Sequence, residues 1–291
     1  MRGNIKFLGL FIILFLWMYS GAAASVTIVN GLTHERETRP GDVYSDFIVI
    51  KNTTAAMEEV KLYQTDYFFT FDGKKYYDKP GSVKRSNAAW ISFSQKRIMI
   101  PPFNQYDVKY TVKVPDDESL KGTYWSLIMV EIVPKNSMEN VRLDKKNINF
   151  GIQQIMRSGI QIVSHIGNTG TREIRILKIE LLKDEEGKIL QVDVQNTGER
   201  WLRPYLFVDL VDDKGKFIGK YEGDKWRIFP GTSARFCADL SQVPEGQYNA
   251  LILIDNKDAY VFGAKYNINL KASSPTPKAL VRKKSVSSPS E

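Results

Sequence analysis

Hydrophobic and polar residues alternate with a period of two along most of the chain. The pattern is longest in Asn147–Val163, whose even positions carry Ile148, Phe150, Ile152, Met156, Ile160 and Ile162. A strand places alternate side chains on opposite faces, so this stretch predicts a strand with one apolar row. Strands commonly have about five or six residues. We therefore expect either that successive parts of this strand belong to two different structures, or that the strand contains a bulge near Gly151 or Gly159.

Shorter alternating segments on both sides of this stretch predict the remaining strands. Those before it are Val26–Val29, Val43–Ile50, Val60–Phe71, Ala89–Phe93, Arg97–Ile100, Tyr106–Val114 and Thr123–Val133. Those after it are Ile174–Leu182, Ile189–Val194, Trp201–Val211, Phe217–Tyr221, Trp226–Phe229, Ser233–Leu240, Tyr248–Ile254 and Tyr260–Leu270. No helical periodicity separates them, which favours β-sandwiches. The predicted fold class is all-β, with two immunoglobulin-like β-sandwich domains in tandem, residues 25–166 and 171–270.

Residues 1–24 have the features of a secretory signal peptide. Arg2 and Lys6 give a positive start, Phe7–Tyr19 is an apolar run of 13 residues, and three alanines precede Ser25 as a cleavage site. The alternative is an uncleaved membrane anchor, but the run is shorter than the about 20 residues that span a bilayer. We therefore predict that the protein is exported.

The formal charge of +8 lies mainly at the two ends of the chain. The nearly neutral body lacks the basic stripe that is typical of nucleic-acid-binding proteins, so we expect no nucleic-acid partner. Residues 271–291 are rich in Ser, Pro and Lys and contain too few apolar residues to fold. This tail is either a soluble disordered end or a contact for an anionic surface such as membrane phospholipid or cell-wall polymer.

Residues with catalytic or metal-binding potential are few. His34 and His165 have no Cys, His or carboxylate neighbour at metal-ligand spacing. The chain has no G-x-S-x-G, H-E-x-x-H or phosphate-binding loop motif. Its one cysteine, Cys237, excludes a disulfide within the chain. We predict no enzyme activity, no cofactor and no bound metal.

Seven aromatic residues crowd into one short segment. They are Tyr63, Tyr67, Phe68, Phe69, Phe71, Tyr76 and Tyr77. The simpler interpretation is an aromatic core. The alternative is an exposed contact surface beside Trp90, because aromatic side chains combine a large area with a low cost of ordering.

The run Ile100–Pro134 resembles the first domain of the PapD-type periplasmic pilus chaperones. It contains a double proline after a strand, an alternating strand, a proline-acidic turn with E-S-L, an aromatic strand and a closing proline. The chain is also similar to the first domain of WxL-interacting cell-surface proteins, which share the extended strand, an N-x-T loop as at Asn52, and a tryptophan near Trp90. The PapD resemblance implies a periplasmic location, and the WxL resemblance implies the cell surface as the alternative.

The PapD resemblance further implies that an exported protein, such as a pilus subunit, binds by strand addition to the first domain. Those chaperones hold the carboxyl terminus of a subunit with an arginine in the first strand and a lysine in the last strand of that domain. Here Val26–Val29 has no basic residue, and the first ones follow at Arg36 and Arg39. Two interpretations remain for Arg157 on the long strand. Its guanidinium group binds a carboxylate through two hydrogen bonds, or it is an exposed strand arginine without a binding role.

The length of the predicted strand suggests that its two ends have different roles. We expect Ile160 and Ile162 to be core residues, and the N-terminal half to remain available for a partner. The predicted partner-binding residues are Phe150, Ile152, Gln154, Met156 and Arg157. The predicted function is a periplasmic chaperone-like or assembly protein. The alternative is a cell-envelope module that binds peptidoglycan or a surface protein without a chaperone cycle.

Overall fold

A computed structural model describes residues 25–134, 155–183 and 187–270, and their regular structure is almost entirely β. The chain divides into two units. The first comprises the residues up to Phe68 and Tyr76–Thr169, and the second comprises Phe69–Lys75 and the residues from Gly170 onward. Within the described ranges, no helix is long and apolar enough to cross a membrane.

Ten strands precede residue 170. They are β1 (Val26–Ile28), β2 (Thr33–Thr38), β3 (Val43–Asn52), β4 (Glu58–Phe69), β5 (Lys75–Asp78), β6 (Ile91–Phe93), β7 (Arg97–Ile100), β8 (Gln105–Lys113), β9 (Gly122–Ile132) and β10 (Arg157–Ile166). One sheet has the order β1-β3-β8-β6, and the other has the order β2-β10-β9-β4-β5, with β7 also paired to β4. A short 3-10 turn, Ala88–Trp90, precedes β6.

The core of the first unit lies between these two sheets. Its fully buried members come from both of them and include Ile48, Ile50, Leu62, Ile100, Val108, Ile128, Ile160 and Ile162. The prediction that Ile160 and Ile162 are core residues is therefore confirmed. Within the described residues, the long strand predicted for Asn147–Val163 is shorter at its start, because Ile155 and Met156 lie outside β10. The strand begins at Arg157 and continues to Ile166, beyond the predicted end.

Strand β2 is not predicted by the hydrophobic pattern, because its sequence T-H-E-R-E-T contains no apolar residue. It pairs in parallel with β10, from Thr33 opposite Gln161 to Thr38 opposite Ile166. Side chains of β2 that face the other sheet meet tyrosines instead of aliphatic residues. His34 Nδ1 lies 3.0 Å from the Tyr110 hydroxyl oxygen. Hydrogen bonds of this kind stabilise the polar strand β2 at the edge of its sheet.

Seven strands follow residue 170. They are β11 (Ile174–Lys183), β12 (Lys188–Asn196), β13 (Tyr205–Asp212), β14 (Phe217–Lys225), β15 (Ser233–Asp239), β16 (Gln247–Asp255) and β17 (Val261–Asn269). Their order is β11-β12-β15-β14-β13-β16-β17, and both halves of this sheet contribute to one buried core. The predicted fold class, an all-β chain with two immunoglobulin-like β-sandwiches, is confirmed.

The eighth strand predicted in this region, Trp226–Phe229, is wrong. The segment forms only an isolated bridge, in which the main-chain groups of Leu202 and Ile228 exchange two hydrogen bonds of 2.9 Å. Its consecutive residues Ile228 and Phe229 are both fully buried. A strand would place neighbouring side chains on opposite faces, so burial of both fits a connecting segment.

Gly223 joins the two halves of the second unit's sheet. It is the one position at which β14 and β15 pair, opposite Ala238. A Cβ atom on Gly223 would lie 2.5 Å from the Cys237 carbonyl oxygen and 2.8 Å from Leu206 Cδ2. This close approach of backbone and side chain therefore requires a glycine.

Candidate functional site

The candidate functional site is the half of β10 that β2 leaves uncovered. On one side, β10 pairs with β9 over its whole length, from Arg157 opposite Glu131 to Ile166 opposite Gly122. On the other side, β2 pairs with it only from Gln161 onward. Among the described residues, Arg157–Ile160 therefore have a strand partner on the β9 side alone. We call their other side the open edge.

Two hydrogen bonds show which main-chain groups face the open edge. The Gln161 N–H donates to the Leu32 carbonyl over 2.9 Å, on the β2 side. The Ile132 N–H donates to the Met156 carbonyl over 3.1 Å, on the β9 side. Main-chain direction alternates along a strand. The N–H and C=O groups of Arg157 and Gly159 therefore point away from β9, where an added strand would pair.

Gly159 shapes the outer face of the sheet beside the open edge. A Cβ atom there would lie 3.1 Å from Leu127 Cδ1 and 3.1 Å from Met129 Sδ, both on β9. The glycine thus lets these two buried side chains lie close over β10. The main chain at this point therefore packs directly against apolar side chains of β9.

Arg157 is an exposed residue, and its guanidinium group lies on the outer face of the sheet. The guanidinium carbon is 5.7 Å from the centre of the Tyr77 ring. Nearby, the Tyr63 hydroxyl donates a 2.7 Å hydrogen bond to Glu131 Oε2. Burial raises the pKa of Tyr63, and a hydrogen bond with Arg157 acts in the opposite direction. The guanidinium therefore belongs to a cluster of tyrosine and carboxylate groups.

Of the five predicted partner-binding residues, Phe150, Ile152 and Gln154 lie outside the described residues. Met156 is 45% exposed and immediately precedes β10. Arg157 is the first residue of that strand, at the open edge. The assignment of these five residues to a partner stays a prediction.

The crowded aromatic segment is only partly core, because Phe69 packs against the core of the second unit whereas Tyr76 and Tyr77 are exposed. None of its seven residues is fully buried, and Tyr76 and Tyr77 are among the exposed hydrophobic residues. Tyr67 packs against Tyr77 and the next residue, Phe68, packs against Tyr76, so these aromatic pairs lie on opposite faces of the β4–β5 hairpin. Phe69 and Phe229, both in the second unit, pack edge to face with ring centres 6.4 Å apart. Trp90, beside which the alternative contact surface was predicted, packs against Tyr124 with ring centres 4.7 Å apart.

The two histidines lie on neighbouring strands with different contacts. His34, on β2, contacts Tyr110, and His165, on β10, lies 2.9 Å from Thr123 Oγ1 through its Nδ1. Burial, followed by the nearby Asp46 carboxylate, raises the pKa of Tyr110 above its ordinary value. In the part of the chain that the structure describes, no three His, Cys, Asp or Glu side chains form a group that could hold a metal ion.

Solved structures similar to this chain include several fimbrial chaperones. The class 5 fimbriae chaperone CfaA is 12% identical, with a TM-score of 0.43, and the match covers 86% of this chain and all of that one. The Escherichia coli chaperone DraB is 11% identical, with a TM-score of 0.39, covering 83% and 98% of the two chains. A chain of the CsuC–CsuE chaperone–tip adhesion subunit pre-assembly complex of Acinetobacter baumannii is 11% identical, with a TM-score of 0.40. That match covers 83% of this chain and 98% of the other.

The chain is thus similar to solved chaperones of the class that the sequence resembles. No family model matches the chain, and no curated protein matches it.

Proposed function

We propose that the protein is a periplasmic chaperone-like or assembly protein, and that it binds an exported protein by adding a strand of that partner to the open edge of β10. The observation that carries the proposal is the outward direction of the main-chain groups of Arg157 and Gly159. An uncovered strand edge is a template for another strand, and many peptide-binding domains use one in this way.

The surroundings of the open edge fit a bound strand better than they fit solvent. Natural proteins normally protect strand edges with charge, proline, bulges or a covering segment. Here β2 covers only the half from Gln161 onward. The exposed side chains just before β10, Ile155 and Met156, are apolar. A partner strand would gain main-chain hydrogen bonds, each contributing about 0.5–1.5 kcal/mol, and would also cover these two side chains.

Export and a chaperone role are supported by the sequence. The features of residues 1–24 support secretion, and the resemblance of Ile100–Pro134 to pilus chaperones supports a partner that is itself exported. The partner in this proposal is a newly exported protein or a subunit of a surface structure. In this proposal, one strand of the partner has an unpaired edge until it pairs with the open edge of β10.

The test compares Arg157→Pro with Arg157→Ala. Proline removes an N–H group that faces the open edge and takes no part in pairing with β9, and proline is tolerated at the first residue of a strand. Alanine removes the guanidinium group but keeps the N–H group. The protein is purified from the periplasm, and the proteins that co-purify with the wild type are identified by mass spectrometry. Light scattering then measures aggregation of each identified protein with and without each variant.

We expect Arg157→Pro to lose the partner and its protection from aggregation, with the melting temperature changed by only a few degrees. Arg157→Ala should retain most of both. If Arg157→Pro protects the partner as well as the wild type does, strand addition at this edge is wrong. A wild-type protein that sediments with purified peptidoglycan, without a client and regardless of Arg157→Pro, would favour the cell-envelope binding module instead.

A further inference from the structure

A second interruption of strand pairing lies at the edge of β4. Strand β7 pairs with its first part, from Glu58 to Lys61, and the Leu62 N–H donates to the Lys96 carbonyl over 2.9 Å. At the other end, Thr65 Oγ1 donates a 2.6 Å hydrogen bond to the carbonyl of Asp78, the last residue of β5. In the described part of the chain, no strand covers the short stretch between these two contacts.

A groove of about 450 Å³ opens at this interruption. We call it the β4 groove. Its apolar lining comes from Leu62, Tyr63, Pro80 and Phe93. Phe93 ends β6 in one sheet, and the chain then crosses to β7 in the other sheet. Pro80, which also lines the groove, lies two residues after the end of β5. Residues from strands of both sheets therefore line the groove.

Three cationic side chains line the β4 groove: Lys61, Lys96 and Arg97. Arg97 Nη1 lies 2.9 Å from Glu59 Oε1, so this charge is already partly balanced. Lys61 Nζ lies 5.8 Å from the centre of the Tyr63 ring. Within the described ranges, neither lysine forms an ion pair. The groove thus has an apolar floor and an excess of positive charge, which favours an anionic ligand with apolar parts.

The main chain of Gln64 faces the β4 groove. The Val133 N–H donates to the Glu59 carbonyl on the β9 side, and the Leu62 N–H donates to Lys96 on the opposite side. Because main-chain direction alternates, the N–H and C=O groups of Gln64 point to the same side as those of Leu62. The Gln64 side chain does not block them. It turns inward, where Nε2 donates to the carbonyls of Ala88 and Ile91.

We propose that the β4 groove binds an acidic, extended segment of a partner polypeptide. The segment would pair with the main chain of Gln64, place apolar side chains on Leu62 and Phe93, and direct carboxylates to Lys61 and Lys96. A free anion would use only the two lysines and would leave the apolar floor and the strand edge unused. Strand β9 separates β4 from β10, so this site is distinct from the open edge and does not depend on the proposed function.

The test uses the peptide acetyl-Val-Glu-Val-Glu-Val-amide, the same peptide with glutamine in place of glutamate, and inorganic phosphate. Binding to the full chain is measured by competition with a fluorescent acidic peptide. The main-chain amide signal of Gln64 in NMR spectra reports where each ligand binds. The test variant is the double substitution Lys61→Gln and Lys96→Gln. The matched control removes two exposed lysines from β8, in the other sheet, by Lys109→Gln and Lys113→Gln.

We expect the acidic peptide to shift the Gln64 signal, and the test variant to weaken its binding about three- to tenfold, as loss of partly exposed ion pairs would. The control variant and Arg157→Pro should bind as the wild type does. The proposal is overturned if the glutamine peptide binds equally well, if Gln64 does not respond, or if phosphate alone gives the same Gln64 shift and fully displaces the peptide. That last result would make the groove an anion site only.

Discussion

The main-chain N–H of Gln161 donates a 2.9 Å hydrogen bond to the carbonyl of Leu32, and this contact is the first by which β2 covers β10. Before it, the same edge of β10 has no partner among the described residues. One strand therefore has a closed half, held between β9 and β2, and an open half, held by β9 alone. Among the described residues, the main-chain groups of Arg157 and Gly159 therefore have no strand partner on this side.

Hydrogen exchange should detect this division in the free protein. The amides of Arg157 and Gly159 point to the open edge, whereas the amide of Gln161 is bonded to Leu32. An exposed amide exchanges without local unfolding, while a bonded one must first open. We therefore expect fast exchange at Arg157 and Gly159 and slow exchange at Gln161, measured residue by residue with NMR. Equal protection of Gly159 and Gln161 would mean that another segment covers the open edge.

The second unit should depend on a glycine where its two half-sheets join. In Gly223→Ala, the added methyl group would overlap the Cys237 carbonyl and Leu206. Overpacking of this kind costs about 1–3 kcal/mol. Denaturant unfolding of the full chain should show a loss of that size. The matched control is Gly263→Ala on β17, where the nearest atom is Leu253 Cδ2 at 3.3 Å and the backbone is more distant. If both variants are equally stable, the junction does not require the close approach.

Asp72 provides a prediction about pH. A hydrogen bond from Lys74, followed by one from Thr70, lowers the pKa of its carboxyl group from 3.8 to about 2. Because the folded-state pKa is depressed, this contribution to stability is present above the ordinary pKa and is lost as the pH falls through about 2. An NMR titration should give this low value, and Lys74→Ala should move it toward 3.8. Lys84→Ala, which removes a lysine that does not contact Asp72, should leave it unchanged.

The hydrophobic pattern predicts strands well where one face is aliphatic and buried. For β10, the alternation correctly places Ile160 and Ile162 in the core. It fails for β2, because there the contacts to the other sheet are polar. His34 meets the Tyr110 hydroxyl, and the Arg36 guanidinium carbon lies 4.6 Å from the centre of the Tyr44 ring. A strand whose partners are tyrosines has no apolar row for a sequence pattern to detect.

The candidate sites depend on pairings that sequence spacing does not show. The open edge exists because β2, more than 100 residues before β10, covers only its second half. The β4 groove exists because β7 and β5 pair with different ends of the same strand. Alternation predicts which face of a strand is buried, but it does not predict which neighbour covers each edge. The sequence therefore predicts the strand that has the open edge. It does not predict how many residues of that edge lack a neighbouring strand.

Ile160, the last residue of the open edge, and Met156, the residue just before it, should tolerate a charge very differently. Ile160 is completely buried opposite Ile128, whereas Met156 is 45% exposed. In Ile160→Glu, an unpaired carboxyl group would be buried in the core at a cost of several kcal/mol. Since domains are stable by only about 5–15 kcal/mol, we expect this variant to unfold the first unit or nearly so, as measured by circular dichroism.

Met156→Glu should instead change the unfolding free energy by less than about 0.5 kcal/mol, as is usual for exposed positions. It should still weaken partner capture, because it places a charge where a bound strand would cover an apolar side chain. The alternation in Asn147–Val163 predicts the same behaviour for Phe150→Glu and Ile152→Glu. Met156→Ala, which removes the apolar contact without adding a charge, should weaken capture less than Met156→Glu does. If Met156→Glu unfolds the protein to the same extent as Ile160→Glu, the segment just before β10 belongs to the core, and the apolar contact assigned to the partner is wrong.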